Sequence, residues 1–141
     1  MSDLLILVLA VPLTAGAAGV LLRHRRTVQR ALAWTTLGGV VVLSVLLVGA
    51  TSDGSTLTVD VGGFPAGLAI VLGVDALSAL MLAIGSTMTL AGAVFAAASG
   101  EDDHPLFLPL VLLLWSGVAL AFVTADLFNL FVAFEVMLIA S

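Results

Sequence analysis

Apolar and polar positions alternate in long blocks along this chain. Five apolar runs stand out, at 4–22, 31–50, 76–98, 106–125 and 127–141. A helix needs roughly 20 apolar residues to cross the hydrocarbon core, so the first four runs are long enough to span. The fifth is shorter, and no polar flank closes it before Ser141. The pattern predicts an all-α membrane bundle of five transmembrane helices, with residues 1–141 forming the N-terminal portion of a single transmembrane domain.

The break at 51–75 has a different rhythm. In "STLTVDVGGFPAG", Leu57, Val59 and Val61 alternate with Thr58 and Asp60. That period of two, followed by Gly62-Gly63 and Pro65, predicts a strand over 56–61 and a turn at the glycines. A short external β-hairpin between helices 2 and 3 follows; an irregular loop is the alternative. Pro12 is expected to kink the first helix, whereas Pro105 and Pro109 fall where the fourth helix begins and a missing N–H matters least. "AGAAG" at 15–19, and Gly85, Thr89, Gly92 and Ala96 in the third run, would let helices approach closely.

Composition agrees with a membrane solvent: 62% of residues are hydrophobic, 9% are charged and mean hydropathy is +1.30. Cysteine is absent, which excludes disulfides, thiolate metal sites and iron–sulfur clusters built from this chain alone. Lysine is absent too, and the basic residues Arg23, Arg25, Arg26 and Arg30 share one short stretch. That cluster reads as a topology signal rather than a nucleic-acid surface. It places the loop 23–30 in the cytoplasm, the N-terminus and the 51–75 loop outside, 99–105 inside and Asp126 outside. The inner "SGEDDHP" is acidic, but the rule counts Lys and Arg. The flank "MSD" has no positive charge, so the first run does not read as a signal peptide. His24 and His104 stand alone, without a second metal ligand at suitable spacing. No nucleotide-loop, zinc-protease or serine-hydrolase motif is present, so the sequence gives no positive sign of soluble enzyme chemistry, and no cofactor or metal is expected.

The remaining chemistry lies in acids and hydroxyls within the apolar runs. Glu135 follows Asp126, an interface residue, by nine positions, or roughly 13 Å of helix, which places it near mid-membrane. A carboxylate there must be paired, hydrated or protonated, which makes it a candidate proton carrier. Phe128 and Phe131 share its helical face. Helix-gluing is the alternative role. On the third helix Asp75, Ser78, Leu82, Ser86 and Thr89 form one mostly polar stripe, either a hydrated path or ordinary backbone-bonded packing. Asp75 and Asp126 also suit helix N-caps, and Asn129 sits beside Asp126 at the junction of helices four and five.

Three stretches carry a family resemblance. "GGFPAGLAIVLGVDALSALM" (62–81), "FLPLVLLLWSGVALAFVTADLFN" (107–129) and "DLFNLFVAFEVMLIAS" (126–141) resemble the antiporter-like membrane subunits. These are shared by Mrp-type multisubunit Na⁺/H⁺ antiporters and respiratory complex I. The resemblance implies an ion conduit in the plasma membrane, built with other membrane subunits, that exchanges Na⁺ for protons. It implies that Glu135 faces a lysine on a later helix and that changes in this pair drive proton movement. It also implies that the chain is the N-terminal part of a longer subunit. Ala119 and Ala133 depart from the polar and aromatic residues that relatives often carry there. A redox-driven proton-pump subunit and a non-conducting scaffold are the other readings.

Overall fold

A computed structural model describes residues 2–61 and 70–141. Among the described residues five α-helices form: α1 (Ser2–Leu21), α2 (Arg26–Ala50), α3 (Ala76–Ser99), α4 (Phe107–Val123) and α5 (Leu127–Ala140). Two strands, β1 (Leu57–Val61) and β2 (Ile70–Val74), lie between α2 and α3, and a 3₁₀ turn (Glu101–Asp103) precedes α4. The first three helices are long and apolar enough to cross a membrane. α4, expected to span 106–125, is shorter, because Thr124 leaves the helix with extended backbone (ψ 134°) and turns toward the hairpin. α1 stays helical through Pro12.

α2 begins five residues before its apolar run. Arg26 to Arg30, expected as loop, form its first turn because their side chains find partners nearby. Arg30 pairs with Asp102 at 2.7 Å, and Asp102 is only 4% exposed. An Arg26 guanidinium N–H donates to the Asp103 carbonyl. Buried Gln29 donates to the carbonyls of Gly19 (2.8 Å) and Pro105 (2.7 Å). The carboxamide thus joins the end of α1 to the approach of α4, and the acidic 3₁₀ turn neutralises part of the arginine cluster.

The opposite end holds the hairpin. β1 and β2 pair antiparallel in the register Leu57↔Val74, Val59↔Leu72 and Val61↔Ile70. The strand expected at 56–61 forms; the turn expected at Gly62-Gly63, with Pro65, lies outside the described residues. The hairpin is anchored to the bundle: Leu72 bridges to Thr124, and the Ala125 N–H donates to the Val71 carbonyl at 3.0 Å. Its inner residues Leu72 and Val74 join a core with Leu5, Val8, Val40, Leu82, Trp115 and Val123. A second core nearer the arginine end gathers Ala15, Ala33, Leu37, Ala93, Leu108 and Leu112.

α4 is central, packing against α1, α2, α3 and α5. Glycine makes several of these contacts close, two of them from the helices around α4. A Cβ on Gly16 would lie 2.9 Å from Leu113 Cγ, and one on Gly85 would lie 2.8 Å from the Trp115 ring. Gly92, expected to do the same, faces open space.

Candidate functional site

α5 starts where α4 has just stopped, and a small polar network holds the junction. The Asp126 carboxylate accepts from the Phe128 N–H at 3.1 Å, so Asp126 caps α5. The Asn129 amide donates to Thr124 Oγ1 at 3.1 Å, and that hydroxyl donates to the Asp126 carbonyl at 3.1 Å. Asn129 is buried. One turn deeper, Ala133 packs against α4 opposite Gly117, with no exposed surface at all.

These contacts fix the roll of α5. Residues advance about 100° each around a helix, so Glu135 lies about 160° from Ala133, on the opposite face. Glu135 is accordingly exposed, flanked by exposed Phe128, Phe131 and Leu138. Among the described residues the Glu135 side chain has neither a hydrogen bond nor an ion pair, and α4, its packing neighbour, contains no ionisable residue. An apolar, outward face with one carboxylate in the middle can take up a proton, or pair with a cation brought against it.

The polar stripe on α3 lies elsewhere. α3 and α5 each pack on α4, and the stripe is not brought beside Glu135. Asp75 caps α3, accepting from the Ser78 N–H at 2.7 Å. That N–H, and then the Ser78 hydroxyl, hold the Asp75 carboxyl below the usual carboxylate range. Ser86 and Thr89 donate to the carbonyls of Ala83 (3.1 Å) and Gly85 (2.8 Å) in their own helix. Their donors are therefore occupied, leaving only lone pairs for a passing water or ion. His104 Nδ1 accepts from the Leu106 N–H, and His24 lies beside Arg23.

A further cavity of about 380 Å³ lies between α1, the hairpin and α4, lined by Ile6, Leu9, Leu13, Val59, Asp60 and Leu120. Its walls are almost wholly apolar, so it does not gather ion ligands. Sequence reasoning missed three organising residues: Gln29, Gly117 and Thr124. Gly117 had a signal, a lone glycine in an apolar helix, but its neighbour could not be read from the chain.

No family model matches the chain. Its sequence is 33% identical over 143 residues to the D-type subunit of a Na⁺/H⁺ antiporter from Alkalihalophilus pseudofirmus, covering 100% of this chain and 29% of that protein. It is 37% identical over 151 residues to the D-type subunit of a probable K⁺/H⁺ antiporter from Rhizobium meliloti, covering 100% of this chain and 27% of that one. The chain thus spans less than a third of the length of these curated relatives. Among solved structures, a chain of the Mrp complex from Dietzia sp. DQ12-45-1b superposes with TM-score 0.89 at 39% identity, over 99% of this chain and 26% of that one. An archaeal membrane-bound sulfane sulfur reductase shares the fold, with TM-score 0.87 at 21% identity over 96% of this chain and 28% of that one. The chain is a multi-pass membrane protein.

Proposed function

We propose, from the premise that the whole chain matches the N-terminal part of D-type antiporter subunits, that it contributes to monovalent cation/proton exchange in an Mrp-type membrane complex. Glu135 carries this reading. It is the one ionisable residue in α4 and α5, and it points away from α4, the helix packed against α5; nine residues of helix rise, roughly 13 Å beyond Asp126, support a position near mid-membrane. A carboxylate so placed is costly in lipid unless a cation or proton satisfies it. The reading supplies both: a cationic partner outside the described residues, and a proton when that partner withdraws. Glu135 then acts as a switch whose proton occupancy follows its neighbour's position.

The rest of the assignment follows from that role. Asp126 and Asn129 hold the start of α5. The stripe of Asp75, Ser78, Ser86 and Thr89 is the candidate access route, resting on the acceptor lone pairs of its hydroxyls. The arginine end faces the cytoplasm of a plasma membrane and the hairpin faces outside, because all four arginines lie at one end. The other membrane subunits of the complex, Na⁺ or K⁺, and protons are the partners. The relatives' names divide between Na⁺ and K⁺.

The rival reading is a redox-driven pump, and the two differ in energy source. Everted vesicles containing the assembled complex should dissipate a preformed proton gradient when Na⁺ or K⁺ is added, with no electron donor oxidised by the complex. Vesicles lacking the complex should not. A complex that ignores both cations and builds a gradient only while oxidising a donor would establish the pump instead. One that does neither would leave a scaffold.

A further inference from the structure

We infer that Gly117 is a positioning residue for Glu135: its bare Cα seats the turn 133–137 of α5 against α4, and that seating fixes where the carboxylate on the far side of the turn points. The inference rests on the reading of Glu135 as the exchanging group.

The geometry is specific to one turn. A Cβ on Gly117 would lie 2.6 Å from Met137 Cγ, 2.9 Å from the Ala133 carbonyl oxygen and 3.0 Å from the Met137 nitrogen. The Met137 side chain could swing aside. The other two atoms cannot, because they are backbone. They are also the two ends of one i→i−4 helical hydrogen bond, and Glu135 is the middle residue between them. Gly117 therefore lies against the backbone bond that spans Glu135, on the opposite side of the helix. Movement of this turn along the contact carries the carboxylate with it, toward or away from whatever it faces.

Nothing else in the described structure is placed to correct such a shift. α4 has no ionisable residue, and α5 has none but Glu135. Asp126 is held at the N-cap, nine residues away. α1, which borders α5 through the groove that includes Val136, carries only Asp3, and the hairpin face of that groove carries Asp60. Any pairing of Glu135 with a charge outside these elements thus depends on their separation, and Gly117 sets the near end of that distance.

The test is the pH dependence of cation-driven proton exchange by the assembled complex in everted vesicles. Gly117→Ala should move the pH of half-maximal exchange by about half a unit or more, since the interaction between paired charges changes with their separation. Gly16→Ala is the control. It also crowds α4, somewhat less tightly, at 2.9 Å from Leu113 Cγ and 3.2 Å from the Pro109 carbonyl, but on the α1 side. It should lower thermal stability without moving that midpoint. If Gly117→Ala does not assemble, Met137→Ala carries the test, because it loosens the same contact without crowding it, and it too should move the midpoint. An unmoved midpoint in the assembled variant, or an equal movement in Gly16→Ala, overturns the inference. Glu135→Gln separates the two levels: exchange at the wild-type rate in that variant overturns the underlying role of Glu135 instead.

Discussion

At the scale of single residues, small side chains decide how closely this bundle packs, and only their neighbours reveal which of them matter. Gly85 and Gly92 lie on the same helix and look alike in sequence. The Trp115 ring, 2% exposed, rests on Gly85, whereas Gly92 has nothing within 4 Å. Gly85→Ala must push back a large buried ring and should cost about 1–3 kcal/mol. Gly92→Ala should be neutral or stabilise by up to about 1 kcal/mol through helix propensity, unless a partner subunit covers it. Melting temperatures of the purified complex would separate the two. The caps were more legible. Asp75 and Asp126 could be read as N-caps because a short acid before an apolar run satisfies the first free amides, and both accept such bonds. The direction in which Glu135 points was not legible, since it depends on the contact of Gly117 with Ala133 and Met137, which has no signature in the sequence.

Among the elements, the hairpin and the α4–α5 junction behave as one unit. β1 could be read from alternation because one of its faces is turned to the core. β2, "IVLGV", is a continuous apolar run whose period does not separate strand from helix. Thr124 ends α4 to pair with Leu72, a long-range contact with no local signature. Its hydroxyl also serves Asn129 and Asp126. Thr124→Val keeps the shape and the backbone pairing but leaves the buried Asn129 amide without that partner. It should destabilise the complex by about 1–3 kcal/mol. Thr124→Val combined with Asn129→Leu should cost less than the sum of the single changes, by about 1 kcal/mol in a double-mutant cycle. Strict additivity would show that the two side chains act independently. The N-terminal turn of α2 was missed for a related reason. Its residues are polar, and only Asp102, Gly19 and Pro105, distant in sequence, make helix the better state for them.

For the whole molecule, the two ends are chemically distinct. One end gathers the arginines with the 101–105 segment, and the other carries the hairpin and the caps of α3 and α5. The apolar block pattern made the bundle and the number of helices legible, because lipid forces every backbone group to be satisfied within its own helix. It could not reveal which helix is central. The proposed orientation predicts that, in intact cells, an impermeant thiol reagent labels Thr56→Cys and spares Thr27→Cys. Both positions are exposed, and the chain has no native cysteine to confuse the result. The reverse pattern would invert the topology and with it the direction of exchange.

The central claim is that Glu135 carries the exchanged proton, and its most direct test is cation-driven proton exchange in everted vesicles containing the Glu135→Gln complex. Glutamine preserves size and hydrogen bonding but cannot change charge. The account predicts that the variant assembles and that exchange is abolished, while Glu135→Asp, shorter but still titratable, retains part of it. An assembled Glu135→Gln complex that exchanges at the wild-type rate would contradict the account and leave Glu135 as a helix-packing residue.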